Sequence, residues 1–124
     1  MRTTEQKREF YKMLRHMWKT AKEMSIKEGN DIKSIIENHG LEVSVTSFIM
    51  VLNQMKEKNL EGVPYVDMKT FNGWKDNGFK VKKGEKSQAY GVAWKVVNED
   101  KEDEEEKVFP KAYHLFHKSQ VEAL

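Results

Sequence analysis

Lysines and aromatic rings alternate in the middle of the chain in a way that suits a single strand of nucleic acid. Between Lys69 and Lys95 the sequence has seven lysines and only two acids. Lysines neutralise phosphates and flat rings stack on bases, which is the combination that single-strand binding proteins use. The predicted binding residues of this part of the chain are Lys75, Lys80, Lys82, Lys83, Lys86, Tyr90, Trp94 and Lys95. The hypothesis requires an exposed ring within reach of 80–86, taken from Tyr65, Phe79, Tyr90 and Trp94.

A second cationic feature lies near the N-terminus. Arg8, Lys12 and Arg15 recur with helical spacing, and Lys19 and Lys22 continue the series. At 100° per residue these side chains form one stripe along a helix. Such a stripe is suited to following a phosphate backbone, so Arg8, Lys12 and Arg15 join the predicted site. The alternative is an ordinary solvated helix face.

Residues for catalysis or metal binding are few. His114 and His117 are three residues apart, a spacing that places them on opposite faces of a strand. The acids of 99–106 lack the glycine and the alternating spacing of a calcium-binding loop. The sequence offers no paired nucleophile and base and no His-Glu-x-x-His segment. We therefore expect a binding protein and not an enzyme, with no metal and no cofactor.

Composition indicates a single domain, 1–124, in a reducing cytoplasm. The chain has 124 residues and no cysteine. No run approaches the roughly 18 apolar residues of a membrane helix, and no apolar leader is visible, so we expect no membrane partner. The net charge of +2 conceals a split, because 98–107 holds seven acids and two lysines. The body of the chain is therefore basic.

The N-terminal part, 1–60, has helical periodicity. Apolar residues at helical spacing predict a first helix from Thr3 or Thr4 to about Lys27, ended by Gly29. A second, shorter helix is expected to start at Asn30 or Asp31 and to close at Gly40. A third is predicted from about 44 to 58.

From about residue 65 to 124 the pattern changes. Thr70 and the Asn77-Gly78 pair bracket a predicted short helix at about 70–77, and a short strand follows it. Strict alternation predicts the main strand at 87–97, in which Gly91 leaves room for a partner backbone or a ligand.

The remaining segments complete an antiparallel arrangement. The acidic loop 98–107 is expected to be the most mobile interior segment, because its like charges repel. A returning strand is predicted at 108–116, with Pro110 indicating an edge or a bulge, and a last helical turn at 120–124. Helices first and strands later make the class α+β, with N-terminal helices packed on a small antiparallel sheet.

The segment 70–86, Thr-Phe-Asn-Gly-Trp-Lys-Asp-Asn-Gly-Phe-Lys-Val-Lys-Lys-Gly-Glu-Lys, resembles a motif of the N-terminal domain of ArdC-type antirestriction proteins, which also occurs in LtrC-like plasmid proteins. The ending Leu-Phe-His-Lys-Ser-Gln-Val-Glu at 115–122 is similar to the closing motif of that domain. The matching positions are Trp74, Gly78, Val81, Lys82, Lys83, Gly84, Glu85, Lys86, Phe116 and Gln120. The resemblance implies that Trp74, Val81 and Phe116 are core residues, that Gly78 and Gly84 shape turns, and that the lysines touch the ligand.

The same resemblance implies a function. The family domain binds single-stranded DNA and precedes a zinc-metalloprotease-like domain, of which this sequence shows no motif. We therefore expect a single-stranded DNA-binding, anti-defence protein of a phage, plasmid or other mobile element in a bacterial cytoplasm, with RNA as the alternative strand. The alternative function is an inhibitor that binds a host defence nuclease, through its basic face or its acidic loop, and binds no DNA itself.

Overall fold

The computed structural model describes residues 3–97 and 107–124 and has the predicted α+β class. The three α-helices are α1 (Thr4–Asn38), α2 (Val45–Glu57) and α3 (Phe71–Asp76). The strands are β1 (Met68–Lys69), β2 (Phe79–Val81), β3 (Ala89–Val97), β4 (Lys107–His117) and β5 (Val121–Ala123), and a short 3-10 helix spans Lys118–Gln120. No helix of the described residues is long and apolar enough to cross a membrane.

Helix α1 is one continuous helix of 35 residues, so the predicted break at Gly29 is wrong. A glycine inside a helix costs only about 1 kcal/mol relative to alanine, and burial on both sides of it outweighs that cost. Leu14 and Ile32 are five turns apart, face the same side and are both buried. The helix ends at Asn38, two residues before Gly40, which was predicted to close the second helix and has a φ of +63°.

Helix α2 agrees with the third predicted helix. The hydroxyl of Ser44 caps it by accepting a hydrogen bond of 3.1 Å from the backbone N–H of Ser47. Its inner face is fully buried and includes Phe48, Ile49 and Met55. Phe48 and Ile49 share one core cluster with Leu14 of α1, which joins the two helices.

The main sheet has the strand order β1-β4-β3. The predicted antiparallel pair of long strands is confirmed, with Ala89 opposite Leu115 and Trp94 opposite Pro110. Strand β1 pairs with β4 only at Phe116 and His117. Among the described strands, Pro110 therefore has a neighbour on one side only, which is β3. This placement agrees with the predicted edge position. The segment 98–107, which is predicted to be mobile, lies outside the described residues except for Lys107.

A second, two-stranded sheet closes the chain. Strands β2 and β5 pair antiparallel, with Phe79 opposite Ala123 and Val81 opposite Val121. The predicted helical turn at 120–124 is therefore wrong. A single helical turn at the end of a chain leaves most of its backbone groups without hydrogen bonds. An extended strand can instead pair its backbone with that of β2.

The hydrophobic core covers only part of the main sheet. Val92 of β3 packs in the cluster formed by α1 and α2, and Tyr90 borders it. Farther along the same strand, Trp94 is 37% exposed and Val96 is 58% exposed. The face of β3 that meets the helices is therefore core near its start and becomes surface at Trp94.

Candidate nucleic-acid interface

The lysine turn, residues 82–86, presents three exposed cations on a defined backbone. The carbonyl of Lys82 accepts a hydrogen bond of 3.2 Å from the N–H of Glu85, which closes a β-turn. Gly84 stands at its third position with a φ of +85°, where a residue with a side chain is disfavoured. The residues Lys82, Lys83 and Lys86 are all exposed to solvent.

Gln120 fixes this turn from behind. Its buried side chain accepts a hydrogen bond of 2.8 Å from the N–H of His117 and donates one of 2.6 Å to the carbonyl of Lys86. The same amide donates to the carboxylate of Glu85 over 3.0 Å. The single acid of the turn is thus bound by a neutral residue and leaves the neighbouring lysines free of an ion pair among the described residues.

The cations around the turn differ in their partners. Lys80 lies 3.6 Å from the carboxylate of Glu122, an exposed pair that contributes little to stability. The ammonium of Lys82 approaches the carbonyl of Ser119 at 3.4 Å. Lys75 is exposed on α3. The structure therefore leaves Lys75, Lys83 and Lys86 as the least engaged cations of this surface.

Trp74 is the structural centre of the neighbouring helix α3. Its ring is buried, as predicted, and its indole N–H donates a hydrogen bond of 2.9 Å to the carbonyl of Phe116 in β4. The ring of Phe79 meets it edge-on with centroids 5.7 Å apart. Through these two contacts Trp74 ties β4 to β2.

Two rings near the ends of this helix, Phe71 and Phe79, are open to solvent. Phe79, which directly precedes Lys80, is 38% exposed, so the hypothesis of an exposed ring beside the lysines has a candidate. Phe71, the first residue of α3, is 53% exposed. Sequence reasoning missed it because the spacing from Trp74 places both rings on neighbouring sides of α3, and only the packing of the whole domain decides which ring is covered. The position of Phe71 at the first turn, four residues before Lys75, was the available signal.

The other positions of the predicted motif are structural. Gly78 has a φ of +87° directly after α3. Val81 is half-buried and pairs with Val121. Phe116 is half-buried and lies opposite Lys69 of β1. The positive φ angles of Gly78 and Gly84 agree with their predicted turn roles, whereas Val81 and Phe116 lie outside the buried core.

This arrangement covers the part of the chain that a known family describes. A family model for the N-terminal domain of the anti-restriction factor ArdC matches residues 44–118, which is more than half of the chain. The chain belongs to this ArdC N-terminal domain family. The membership gives it an antirestriction-related role. No curated protein and no solved structure matches the chain significantly.

The structure separates two of the predicted residues, Trp94 and Lys95, from the ArdC-type lysine turn. Both lie on β3, and Trp94 is five residues beyond Ala89. At about 3.4 Å per residue, this places Trp94 roughly 17 Å along the strand from the base where the turn joins it. The predicted single site is therefore two separate surfaces.

Tyr90 is held by the ArdC-type core rather than free. Its ring meets those of Phe10 and His114 edge-on, each with centroids 5.3 Å apart. Its backbone N–H and carbonyl are both bound by the side-chain amide of Gln54, each at 2.8 Å. Gln54 thus covers the free edge of β3 at this point and fixes α2 to the sheet.

The N-terminal helix α1 runs alongside β3 and lies outside the matched ArdC segment. Phe10 meets Tyr90, and Trp18 meets Trp94 with centroids 5.6 Å apart. Eight helical residues and four strand residues span similar lengths, about 12 and 13 Å, so the two ring pairs stay aligned. Arg8, Lys12 and Arg15 are exposed on this helix. Lys12 and Arg15 belong with Trp94 and Lys95 to what we call the α1–hairpin surface: residues 10–22 of α1 together with β3 and β4. Arg8 lies just outside it.

The space beside Gly91 of the ArdC-type hairpin is filled by the chain itself. A Cβ at Gly91 would collide with the ring of Tyr113, so the predicted approach of a ligand or partner backbone there is replaced by this ring. The hydroxyls of Tyr113 and Tyr65 are 2.6 Å apart. Burial raises the pKa of both Tyr65 and Tyr113. Both remain neutral at physiological pH and fasten the hairpin to the segment before β1.

The histidines of the ArdC-type sheet have structural partners. His117 is buried, with its Nε2 2.7 Å from the carbonyl of Glu61 and its Nδ1 accepting from the N–H of Ser119 at 3.2 Å. His114 is exposed and lies 3.3 Å from the hydroxyl of Ser87. Within 3–97 and 107–124, no three histidines or acids are grouped to hold a metal ion.

Proposed function

We propose that this protein binds single-stranded DNA through the lysine turn and acts as an anti-defence protein of a phage, plasmid or integrated mobile element. Family membership supports the antirestriction-related setting. The proposed role requires binding alone and assigns no catalytic step to the chain.

The observation that carries the proposal is the separation of charges in the lysine turn. Gln120 binds Glu85, while Lys83 and Lys86 have exposed side chains and no ion pair among the described residues. A phosphate backbone laid along the turn would meet cations on a backbone that is already fixed. Pre-organised cations lose less conformational entropy on binding than free ones.

Exposed rings beside the turn supply contacts to bases. Phe79 adjoins Lys80 in the sequence and rests on the buried Trp74 ring, which limits its motion. Phe71 lies on the same helix as Lys75. A stacked base on such a ring contributes about 1–3 kcal/mol without sequence preference.

The test is a titration of labelled single-stranded oligonucleotides with the variant Lys82→Ala/Lys83→Ala/Lys86→Ala at several salt concentrations. The logarithmic salt slope should become shallower by about 2.1, because each lysine bound to a phosphate contributes roughly 0.7 on a single strand. Thermal stability should stay nearly unchanged, since exposed charges contribute little to folding. Alanine at Lys27, Lys33 and Lys56, three exposed helix lysines, is the matched control and should alter binding little.

Two outcomes would contradict the proposal. A wild-type protein without salt-dependent affinity for any oligonucleotide would overturn DNA binding and would favour an inhibitor that binds a host nuclease directly. An unchanged slope and affinity in the triple variant would show that the lysine turn is not the site.

A further inference from the structure

The α1–hairpin surface is free of acids over a long stretch of sequence. Residues 10–22 contain Lys12, Arg15, Lys19 and Lys22 and no aspartate or glutamate. The described arms of the hairpin, β3 and β4, also contain no acid. Lys95 and Lys111 are exposed on these arms, at register positions on the opposite face from Trp94. Seven of the 20 acids of the chain lie in 99–106, between the two arms and outside the described residues. The described residues of this surface carry one sign of charge, whereas solvated surfaces normally mix both signs, and this favours an anionic partner.

The cations of this surface are unpaired within the described part of the chain. Lys12, Arg15, Lys19 and Lys22 are all exposed. The ion pairs formed within 3–97 and 107–124 are those of Lys80 and Lys118. Arg15 has no acid three or four residues away on either side, so the helix offers it no local partner. Its charge is available to a ligand.

An aromatic ring lies beside these cations. Trp94 is 37% exposed and stands nearly perpendicular to Trp18, at an angle of 75°. Trp18 lies three residues after Arg15 and four before Lys22, which places one cation a helical turn to either side of it. The Trp18 contact holds Trp94 in one orientation while part of its ring faces solvent. A fixed, partly exposed ring between cations is the arrangement on which a base can stack.

From these observations we propose that the α1–hairpin surface binds a second stretch of the same DNA strand, with Arg15 and Lys22 on phosphates and Trp94 stacked on a base. This inference rests on the proposed function and extends it to a separate surface. Because Trp94 lies roughly 17 Å along β3 from Ala89, a strand must be long enough to reach both surfaces.

The charge test uses Arg15→Gln/Lys22→Gln, since glutamine keeps the helix propensity of the replaced residues. Because the variant removes two phosphate-binding cations, the salt slope for an oligo(dT) of about 30 nucleotides should become shallower by about 1.4, equivalent to roughly 25-fold weaker binding at 0.1 M salt. The control Lys27→Gln/Lys56→Gln removes the same charge elsewhere on α1 and α2 and should change the affinity little. An unchanged slope in the Arg15/Lys22 variant would overturn the inference.

Oligonucleotide length separates two surfaces from one. With an oligo(dT) of about 6 nucleotides, within the site size of a single binding surface, the lysine-turn and Arg15/Lys22 variants should each have a smaller effect than on the long strand. Equal effects at both lengths would contradict a strand that spans the two surfaces.

The stacking test uses the fluorescence of the tryptophans. Binding of the long oligonucleotide should quench the wild-type emission, and Trp94→Leu should lose most of this quenching and bind about five- to 150-fold more weakly. Thermal melting of Trp94→Leu establishes that it is folded. If the folded variant binds and quenches like the wild type, the inference is wrong.

The outcomes also distinguish this inference from the proposed function. If the lysine-turn variant weakens binding and the Arg15/Lys22 and Trp94 variants do not, the inference fails and the proposed function stands. If only the Arg15/Lys22 and Trp94 variants weaken binding, the α1–hairpin surface is the sole site. The assignment to the turn then fails, and so does the inference that one strand spans two surfaces. If the wild type binds no strand, both fail.

Discussion

The lysine turn and the α1–hairpin surface present their cations in different ways. In the turn, hydrogen bonds from Gln120 and the conformation of Gly84 fix the backbone that carries the lysines. On α1 the helix repeat alone aligns the cations, and Trp94 joins them only because the helix packs on the hairpin. The turn depends on local backbone geometry, whereas the second surface depends on tertiary packing.

A buried glutamine holds each region in place. Gln120 connects the turn to the end of β4, and Gln54 connects α2 to the edge of β3. Both side chains satisfy backbone groups that would otherwise lack partners in the interior. The two cationic surfaces are thus positioned by different means. Gln120 fixes the turn itself, whereas Gln54 fixes only the β3 edge of the α1–hairpin surface.

Trp74→Ala is expected to have the largest effect and tests the support of the turn region. The variant should lose about 3–5 kcal/mol of unfolding free energy, because a buried ring is removed and the carbonyl of Phe116 loses its donor. Urea unfolding measures the change. Phe71→Ala, three residues earlier on the same helix, is the control and should change stability little. A small loss at Trp74 would mean that α3 does not support the two sheets.

Replacing each of the two glutamines by leucine, one at a time, tests whether the two regions are stabilised independently. Each variant is expected to lose about 1–3 kcal/mol for every buried backbone group left without a partner. Native-state hydrogen exchange should speed up at the His117 amide in Gln120→Leu and at the Tyr90 amide in Gln54→Leu, because each loses its acceptor. If both amides respond equally to both substitutions, the two regions are not independent.

The tyrosine pair predicts an effect confined to alkaline pH. Burial raises the pKa of Tyr65 and Tyr113 in the folded state, so above about pH 10 the unfolded chain releases protons that the folded chain retains. The contribution is complete below pH 10 and declines as the pH rises. Urea unfolding between about pH 8 and 11 should show this decline, and Tyr65→Phe/Tyr113→Phe should flatten it. An equally steep decline in the double variant would contradict the assignment.

The smallest effect is expected at Gly84. Alanine at a φ of +85° should cost about 1 kcal/mol through backbone strain, without a steric clash, since nothing lies within 4 Å of the added carbon. Oligonucleotide affinity should fall modestly with it. The same substitution at Gly29, inside α1, is the control and should stabilise the helix slightly. Equal responses would show that the conformation of the turn is unimportant.

Local patterns predicted the elements near the turn well. Helix α3 and the β3–β4 pairing follow from capping residues, glycines and strict alternation, all of which act over a few residues. The continuity of α1 through Gly29 was not predictable from the glycine alone, because burial of Ile32 and Ile36 on the far side decides it.

The division of the site into two surfaces depends on residues distant in sequence. The alignment of Trp18 with Trp94 joins residues 76 positions apart, and no local spacing indicates it. The strand β5 was missed for a similar reason, since its partner β2 lies about 40 residues earlier. The sequence therefore indicated which residue types form the site, but it did not indicate which of these residues lie together in the fold.

The most direct test of two surfaces on one strand is a double-mutant cycle measured as salt slopes on a long single-stranded oligonucleotide. The lysine-turn triple variant, the Arg15→Gln/Lys22→Gln variant and their combination are compared with the wild type. The combined slope should be shallower than the wild-type slope by about 3.5, the sum of about 2.1 and about 1.4, because the two sets of cations bind separate phosphates. A combined variant whose slope is no shallower than that of the lysine-turn variant alone would contradict the account.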